Sequence, residues 1–430
     1  MRTTYSHTTD NPELFKENLL RWSQQFSEVV WLDSNNYQQD FASFDAILAV
    51  DAFSSIQTNY PHAFSALKHY WSQVNDWIFG YLTYDLKNNV ENLESQNFDG
   101  LEFPELFFFQ PKKLFFIKGN QLEIRYLNIF KEQIENDLKS IQDIESSTDS
   151  PSDNAIKIKM RMHKDAYFEK VHRMLEYIHR GDIYEANLCQ EFYAQDTHIN
   201  PLETYFKLNS ISKPPFATFL KLNDLFLMSA SPERYLKKVG VTITSQPIKG
   251  TAKRSLNHEE DELFKTNLSK DEKERSENIM ILDLVRNDLS KTAVKGSVRV
   301  LELCQVYTFK QVHQMISTVT SEVDEKVHPV DIIKTTFPMG SMTGAPKISA
   351  MKIIEALEET KRGLYSGAVG YVSPEGDFDF NVVIRSILYN QTKKYVSYSV
   401  GSAITSKSNP HKEYEECLVK AKAMRDVLEH

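Results

Sequence analysis

Gln246-Pro247-Ile248-Lys249-Gly250-Thr251-Ala252-Lys253-Arg254 places one lysine between a proline and a glycine, just after the strand-like run Val241-Thr242-Ile243-Thr244. Proline restricts φ and glycine allows bends closed to other residues, so the stretch predicts a stiff strand-to-turn corner. A fixed, partly buried lysine can lose its proton and act as a nucleophile or a base. A surface lysine beside a Pro-Gly turn would read the same way. A second group is acidic. Glu277, Asp283, Arg286, Asn287 and Asp288 lie within or beside the apolar stretch Ile279–Val285. Buried carboxylates need a cation, hydrogen-bond donors or a metal. Internal pairing accounts for Asp283 and Arg286, which leaves Glu277 as a ligand candidate. Arg385, inside the apolar run Val382–Ile387, either pairs internally or grips an anion in a cleft. Glu413-Tyr414-Glu415-Glu416 has the composition of a solvated face.

These residues need elements to hold them. Lys273 to Leu289 reads as a largely buried helix, apolar almost all round, and Glu413–Glu416 starts the last helix. Ser231-Pro232-Glu233-Arg234 reads as a turn after strands at Phe216–Leu222 and Leu225–Ser229. Gly340–Lys347 opens a helix, with Thr343 as cap and Pro346 in its first turn. Its free N–H groups suit an anion, although a well-capped helix without a ligand would look alike. The glycine spacing is not that of a P-loop. Strands resume at Ala368–Ser373 and Phe380–Leu388.

Further upstream, Lys164–Arg180 is an amphipathic helix with Tyr167, Phe168, Val171, Met174, Leu175 and Ile178 on one stripe and Gly181 as its stop. The N-terminal part mixes aromatic-rich strands with helices. Strands are expected at Phe44–Val50 and Trp77–Leu82, and a hairpin at Leu106–Phe109 and Leu114–Ile117 around Gln110-Pro111-Lys112-Lys113. The polar stretch Glu145–Asn154 reads as a linker. It divides an N-terminal region, 1–150, from a catalytic domain, 155–427.

The 430 residues allow one large or two to three ordinary domains, and 41% hydrophobic residues suffice for a sizeable core. A net charge of −9 argues against nucleic-acid and anionic-membrane partners. Any anionic ligand must therefore be held by local cations, backbone N–H groups or a metal. Cys189, Cys304 and Cys417 are too few and too widely spaced for a disulfide framework, which fits a reducing compartment. None sits in a Gly-rich nucleophile turn, so no glutaminase is expected in this chain. With no apolar leader and no membrane-length run, a soluble cytoplasmic protein is expected. Leu428-Glu429-His430 reads as the stub of a purification tag.

Taken together, these pieces resemble the chorismate-utilising enzymes, which include component I of anthranilate synthase and of aminodeoxychorismate synthase and the isochorismate and salicylate synthases. The resemblance runs through Gly181–Leu188, Ser231–Arg234, the Pro247–Thr251 corner, Glu277–Asp288, Gly340–Lys347, Gly367–Tyr371, Ile384–Ser386 and Glu413–Glu416. It covers residues 160–427. It implies an α+β fold of large, mainly antiparallel sheets forming a sandwich wrapped by helices, with the site between the sheets. At Lys249, anthranilate synthases carry alanine and aminodeoxychorismate synthases lysine. The lysine implies attack on C2 of chorismate with loss of the C4 hydroxyl, then opening by ammonia at C4. The ammonia would come from a separate glutamine amidotransferase subunit. Anthranilate synthase or another chorismate enzyme is the nearest alternative, and a catalytically silent binding relative is the alternative of another class.

The resemblance also implies roles by position. Lys249 is the nucleophile and must be a neutral amine, so its pKa should be depressed by rigid surroundings next to other cations. Glu233 is the general acid, with a raised pKa. Glu277 and Glu416, with Glu413 nearby, would hold Mg²⁺, which overturns the solvated-face reading of Glu413–Glu416. Arg385 and Tyr365, with the N–H of Gly401, would take the enolpyruvyl carboxylate. Thr251, His313 and Ser341 complete the substrate-contacting set. Gly401-Ser402-Ala403 departs from a Gly-x-Gly loop, and alanine there crowds the approach. Ser34, with Pro215 and Phe216, resembles the wall of a tryptophan pocket, although aromatic core packing explains these residues about as well.

Overall fold

The computed structural model describes residues 1–37, 44–59, 61–144 and 156–429. The Glu145–Asn154 linker lies outside them. Twenty strands form one hydrogen-bonded network, and every ladder between them is antiparallel. The ladders join the two halves of the chain. Strand Glu28–Asp33 pairs with Phe216–Leu222, and Ile78–Leu82 pairs with Ala368–Val372.

Side chains alternate across a strand, so a sheet covered on both faces feeds two cores. Val29 and Trp31 join one core, and Val30 between them joins the other. The first core lies under helices that include Pro12–Trp22, Lys164–Arg180, Pro201–Ser212 and Pro410–Glu429. The second is built mostly from strands facing one another, with helices Ala63–Val74 and Pro329–Thr336 against it. This is the expected α+β sandwich. Helix Lys164–Arg180 has the expected bounds and ends at Gly181, whose φ of +89° suits glycine.

Four local expectations change. Leu106–Lys118 is one continuous strand, and its hairpin partner is Gln121–Leu127. Pro111 sits opposite Ala52, where a register shift in the facing strand relieves the missing N–H. Thr343 does not cap a helix. The helix spans Lys347–Leu357 behind Pro346, and the Thr343 hydroxyl bonds Met339 O and Gly340 O instead. Gly401–Ala403 lies inside strand Tyr395–Thr405, facing Leu188 and its neighbours, and is no loop. Leu428, within the stretch read as a tag stub, is buried in the first core as part of the final helix.

Helix Glu272–Ser290 is two-sided. Ile281, Leu282, Val285 and Leu289 are buried, with Glu277, Asn278 and Asp288. Asp283 and Arg286 do pair, at 2.6 Å, but on the solvent side.

Candidate active site

Glu233 sits in the two-residue link between strands Leu225–Ser231 and Arg234–Val239. Its backbone is pinned by Val382 N–H donating to Glu233 O and by Ser231 Oγ accepting from Glu233 N–H. Its carboxyl is 5% exposed and accepts from Ser341 Oγ at 2.6 Å and from the backbone N–H of Ile248. Burial pushes its pKa up to about 7, against the opposing effects of Ser341, Lys249 and that N–H. A carboxyl so placed can hold a proton at neutral pH and release it. It borders a cavity of about 330 Å³ that Asp288, Thr336 and Ser245 also line.

Lys249 follows Ile248 in strand Ile248–Lys253, where the ladder to Val312–Glu322 shifts register between Ile248 and Thr251. The expected strand-to-turn corner is therefore a bulged strand. Gly250, at φ +99°, makes the bulge possible, and a Cβ there would press on Glu274 and Met315. Asn278 Nδ2 clamps the bulge by donating to Lys249 O at 3.1 Å. The ammonium, 20% exposed, lies 3.2 Å from Glu185 Oε1 and 3.8 Å from Glu277 Oε2. Burial alone would lower its pKa, but the charges of Glu185, Glu277 and Glu416 outweigh burial and raise it. This corrects the expected depression: the neighbours of Lys249 are carboxylates, and they favour the ammonium form.

The acidic side chains around it have unmet valences. Glu277 Oε1 and Glu185 Oε2 are buried without a hydrogen-bond partner. Burial, with Glu185 and Glu274 adding to it, pushes Glu277 up to about 7 against Lys249 and Lys273. Glu416 pairs with Lys420 at 2.6 Å, and Lys420, Lys249 and Lys273 together hold it below the usual carboxylate range despite burial. Glu413 accepts from Ser402 Oγ. Hard, under-coordinated carboxylate oxygens suit Mg²⁺. Among the described residues no three His, Cys, Asp or Glu side chains are already gathered as a metal set. Glu277, Glu413 and Glu416 thus share a neighbourhood, defined by Lys273 and its charges, but are not pre-assembled.

The cationic side of the site is built around a break. Strands Phe378–Val382 and Ser386–Asn390 flank Arg385, which sits at φ +53° and not inside a continuous strand. An arginine in that region is strained, and strain tends to collect at functional sites. Arg385 donates to Lys420 O, and burial lowers its pKa. Arg385, Lys420, Gln314 and Pro232 help line a cleft of about 560 Å³. Tyr365, adjacent to Arg385 through its charge effect, is buried and receives a weak Cys189 Sγ–H contact at 3.8 Å. Gly401 leaves no room for a side chain, because a Cβ would meet Cys189 and Asn187.

Two expected contacts are placed differently. His313 is fully buried, with Nε2 3.0 Å from Asp261 and Nδ1 3.0 Å from Thr308 Oγ1, so both ring nitrogens are engaged. Thr251 is exposed on its strand. Glu185, Asn278, Lys273 and Lys420 were not assigned roles from sequence. Lys420 carries a readable signal, since it follows Glu416 by four residues on a helix. Glu185 needed its ladder. Its strand lies between Tyr395–Thr405 and Gly344–Ala345, and this tertiary placement brings it to Lys249.

Ser34, Pro215 and Phe216 do come together. They line a separate cavity of about 550 Å³ with Phe44, Tyr371, Asn381 and Arg234. The hydroxyls of Ser34 and Thr218 in its wall are buried and unpartnered. Arg234 is held there by Asp379 at 3.0 Å and lies over the Phe216 ring.

A two-faced antiparallel sandwich holds a buried acid, a half-buried lysine among carboxylates and a strained arginine, and sequence comparison gives the family. Residues 27–426 match the family described as chorismate binding enzyme, and the chain belongs to that family. It is 31% identical over 372 residues to aminodeoxychorismate synthase component 1 of Bacillus subtilis, covering 84% of this chain and 78% of that protein. It is 39% identical over 287 residues to a probable chloroplastic aminodeoxychorismate synthase of Oryza sativa, covering 66% of this chain. The chain spans only 32% of that relative's length. The crystal structure of anthranilate synthase component I from Streptococcus pneumoniae superposes with a TM-score of 0.77 at 25% identity, covering 91% of this chain and 94% of the other. No helix among the described residues is long and apolar enough to cross a membrane.

Proposed function

We propose that the chain is component I of an aminodeoxychorismate synthase, converting chorismate and ammonia to 4-amino-4-deoxychorismate and water. The product would feed p-aminobenzoate and folate synthesis. The observation that carries this reading is the coupling of Lys249 to Glu233, with Ile248 N–H on the Glu233 carboxyl and Lys249 next in the same strand. Overall likeness does not choose the subtype, because relatives of both the aminodeoxychorismate and the anthranilate kind are similar to the chain.

In this reading Lys249 Nζ, as the free amine, bonds to C2 while the C4–O bond breaks. Glu233 gives its proton to the departing hydroxyl, which leaves as water. Ammonia then bonds to C4 while the bond from C2 to Lys249 breaks, and the surplus proton returns to Glu233. Glu277 and Glu416, with Glu413 alongside, would hold Mg²⁺, which supplies positive charge for the ring carboxylate and offsets the carboxylates that favour the ammonium form of Lys249. Arg385, beside Tyr365 and Gly401, would supply the charge for the enolpyruvyl carboxylate, and Lys420 links its cleft to Glu416. Ammonia would be delivered by a glutamine amidotransferase subunit, and the protein would work in the cytoplasm.

The test is mass spectrometry of the protein and its products after incubation with chorismate, Mg²⁺ and an ammonium salt. Aminodeoxychorismate and a transient adduct on Lys249 are expected. Anthranilate or isochorismate as product would overturn the subtype, and no turnover even with an amidotransferase subunit would favour a silent relative. A second reading concerns the cavity at Ser34, Pro215 and Phe216. Its aromatic walls and unpartnered hydroxyls support an amphipathic aromatic ligand such as tryptophan. Calorimetric titration with tryptophan, repeated on Ser34→Trp, tests it.

A further inference from the structure

Arg362 is 5% exposed and lies outside every cavity described above. Its guanidinium donates through Nε and Nη2 to both oxygens of Glu358, at 2.9 and 2.7 Å. It also donates to Met342 O at 2.6 Å and to Asn187 O at 2.8 Å. Glu358 Oε1 in turn accepts from Cys189 N–H at 2.9 Å. The Tyr84 ring lies against the guanidinium at 4.4 Å, and Gly363 N–H donates to Asp85. A planar fork of five donors is thus spent on two backbone carbonyls and one carboxylate, which Lys could not reproduce.

One carbonyl belongs to the segment that holds the Glu233 carboxyl, the other to the strand beside Lys249. Met342 follows Ser341, whose hydroxyl donates to Glu233. Asn187 reaches back through Nδ2 to Ser341 O and sits two residues from Glu185, the partner of Lys249. From the opposite side, Lys347 is bound to Asp288, Thr336 O and Pro338 O, so the Ser341 segment is tied at both ends by buried cations.

We propose that Arg362, braced by Glu358 and Tyr84, is a positioning residue for the reaction: it fixes Ser341 on the Glu233 carboxyl and sets the Glu185–Asn187 strand beside Lys249. This rests on the reading of Glu233 as the acid. The charged groups that face Glu233 are Lys249 and, around the 330 Å³ cavity, Arg234 with its partner Asp379 and Asp288 with its partners Lys291 and Lys347. Arg362 touches none of these and acts through Ser341.

The experiment compares Arg362→Lys, Arg362→Gln, Ser341→Ala and the double variant Ser341→Ala/Arg362→Gln in the chorismate, Mg²⁺ and ammonium assay across pH. Thermal unfolding confirms that each variant folds, and Arg362→Lys serves if the Gln variant does not. Displacing a catalytic group by an ångström can cost about 100-fold, so a loss of that order in kcat/KM is expected for either Arg362 variant. The Ser341 hydrogen bond favours the carboxylate form, so its loss should move the alkaline limb of the profile upward by roughly one pH unit. Arg362→Gln should show the same shift as Ser341→Ala, and the double variant should be no worse than the poorer single. A loss of rate with the limb unmoved, or effects that multiply in the double variant, would reduce Arg362 to a structural role. Full activity of Glu233→Gln would instead sink the underlying assignment of the acid, whatever Arg362 does.

Discussion

Glu233 and Glu277 are both buried carboxyls pushed up to about 7, and Lys249 acts on both, yet their surroundings differ. Around Glu233 the oxygens are served by Ser341 and Ile248 N–H, and the charged groups that line the neighbouring cavity, Asp288 and Arg234, are each paired elsewhere. Around Glu277, Lys249 at 3.8 Å and Lys273 at 3.6 Å are shared with further acids, Glu185, Glu274 and Glu416, and one oxygen has no hydrogen-bond partner. The first setting stabilises a proton by desolvation and holds it in one place. The second is short of positive charge, and a cation would meet that shortage better than a proton does. Equal pKa values therefore do not mean equal surroundings, and under the proposed function the partners of each oxygen would suit Glu233 as an acid and Glu277 as a ligand.

The strongest break in that comparison is at the residue between the two. Lys249→Ala should remove the covalent adduct and lower amination about a thousandfold or more, read by intact-protein mass and chorismate consumption. A full rate would show that neither carboxyl serves a nucleophile. Next, Glu233→Gln should lower kcat by about 10²- to 10⁴-fold while leaving Mg²⁺-dependent chorismate binding in place. Glu277→Gln should do the reverse, weakening that binding in calorimetry by about 10- to 100-fold. If both variants lost binding alike, the division of labour would fail.

Glu233 also makes a prediction about stability. Its folded-state pKa of about 7 lies above the ordinary 4.5, so the folded protein binds the proton more tightly than the unfolded chain. Its protonation therefore favours folding below the ordinary value, and that contribution is lost as pH rises through about 7. Between pH 4.5 and 8 the loss should be on the order of 3 kcal/mol, and Glu233→Gln should flatten that part of the urea-unfolding profile. The smallest effect is expected on the other face of the Glu277 helix. Asp283→Asn breaks a half-exposed pair with Arg286 and should change stability by less than about 0.5 kcal/mol and activity not at all.

Much of this was legible in the chain. Periodicity located helix Lys164–Arg180 to the residue, because one apolar stripe and a glycine stop agree. The motifs around Glu233, Lys249 and Glu277 pointed to one site. The hairpin around Pro111 was misread because the residues that accommodate the proline are in the facing strand, sixty positions earlier in the chain. The bulge at Gly250 was read as a corner for the same kind of reason: a register shift belongs to a pair of strands.

The sequence by itself determined which groups were available: one lysine in a constrained setting, an acid in a short turn, an arginine among apolar residues and an acidic final helix. Those follow from residue type and local spacing, which act over a few positions. The tertiary structure alone decided in which direction the pKa of Lys249 moves, because that depends on Glu185, Glu277 and Glu416, which come from three distant elements. It alone decided that Arg385 adopts a left-handed conformation and that Arg362 ties Met342 and Asn187 together. Electrostatic and hydrogen-bond energies are set by distance through space and by burial, and neither is a property of neighbours along the chain.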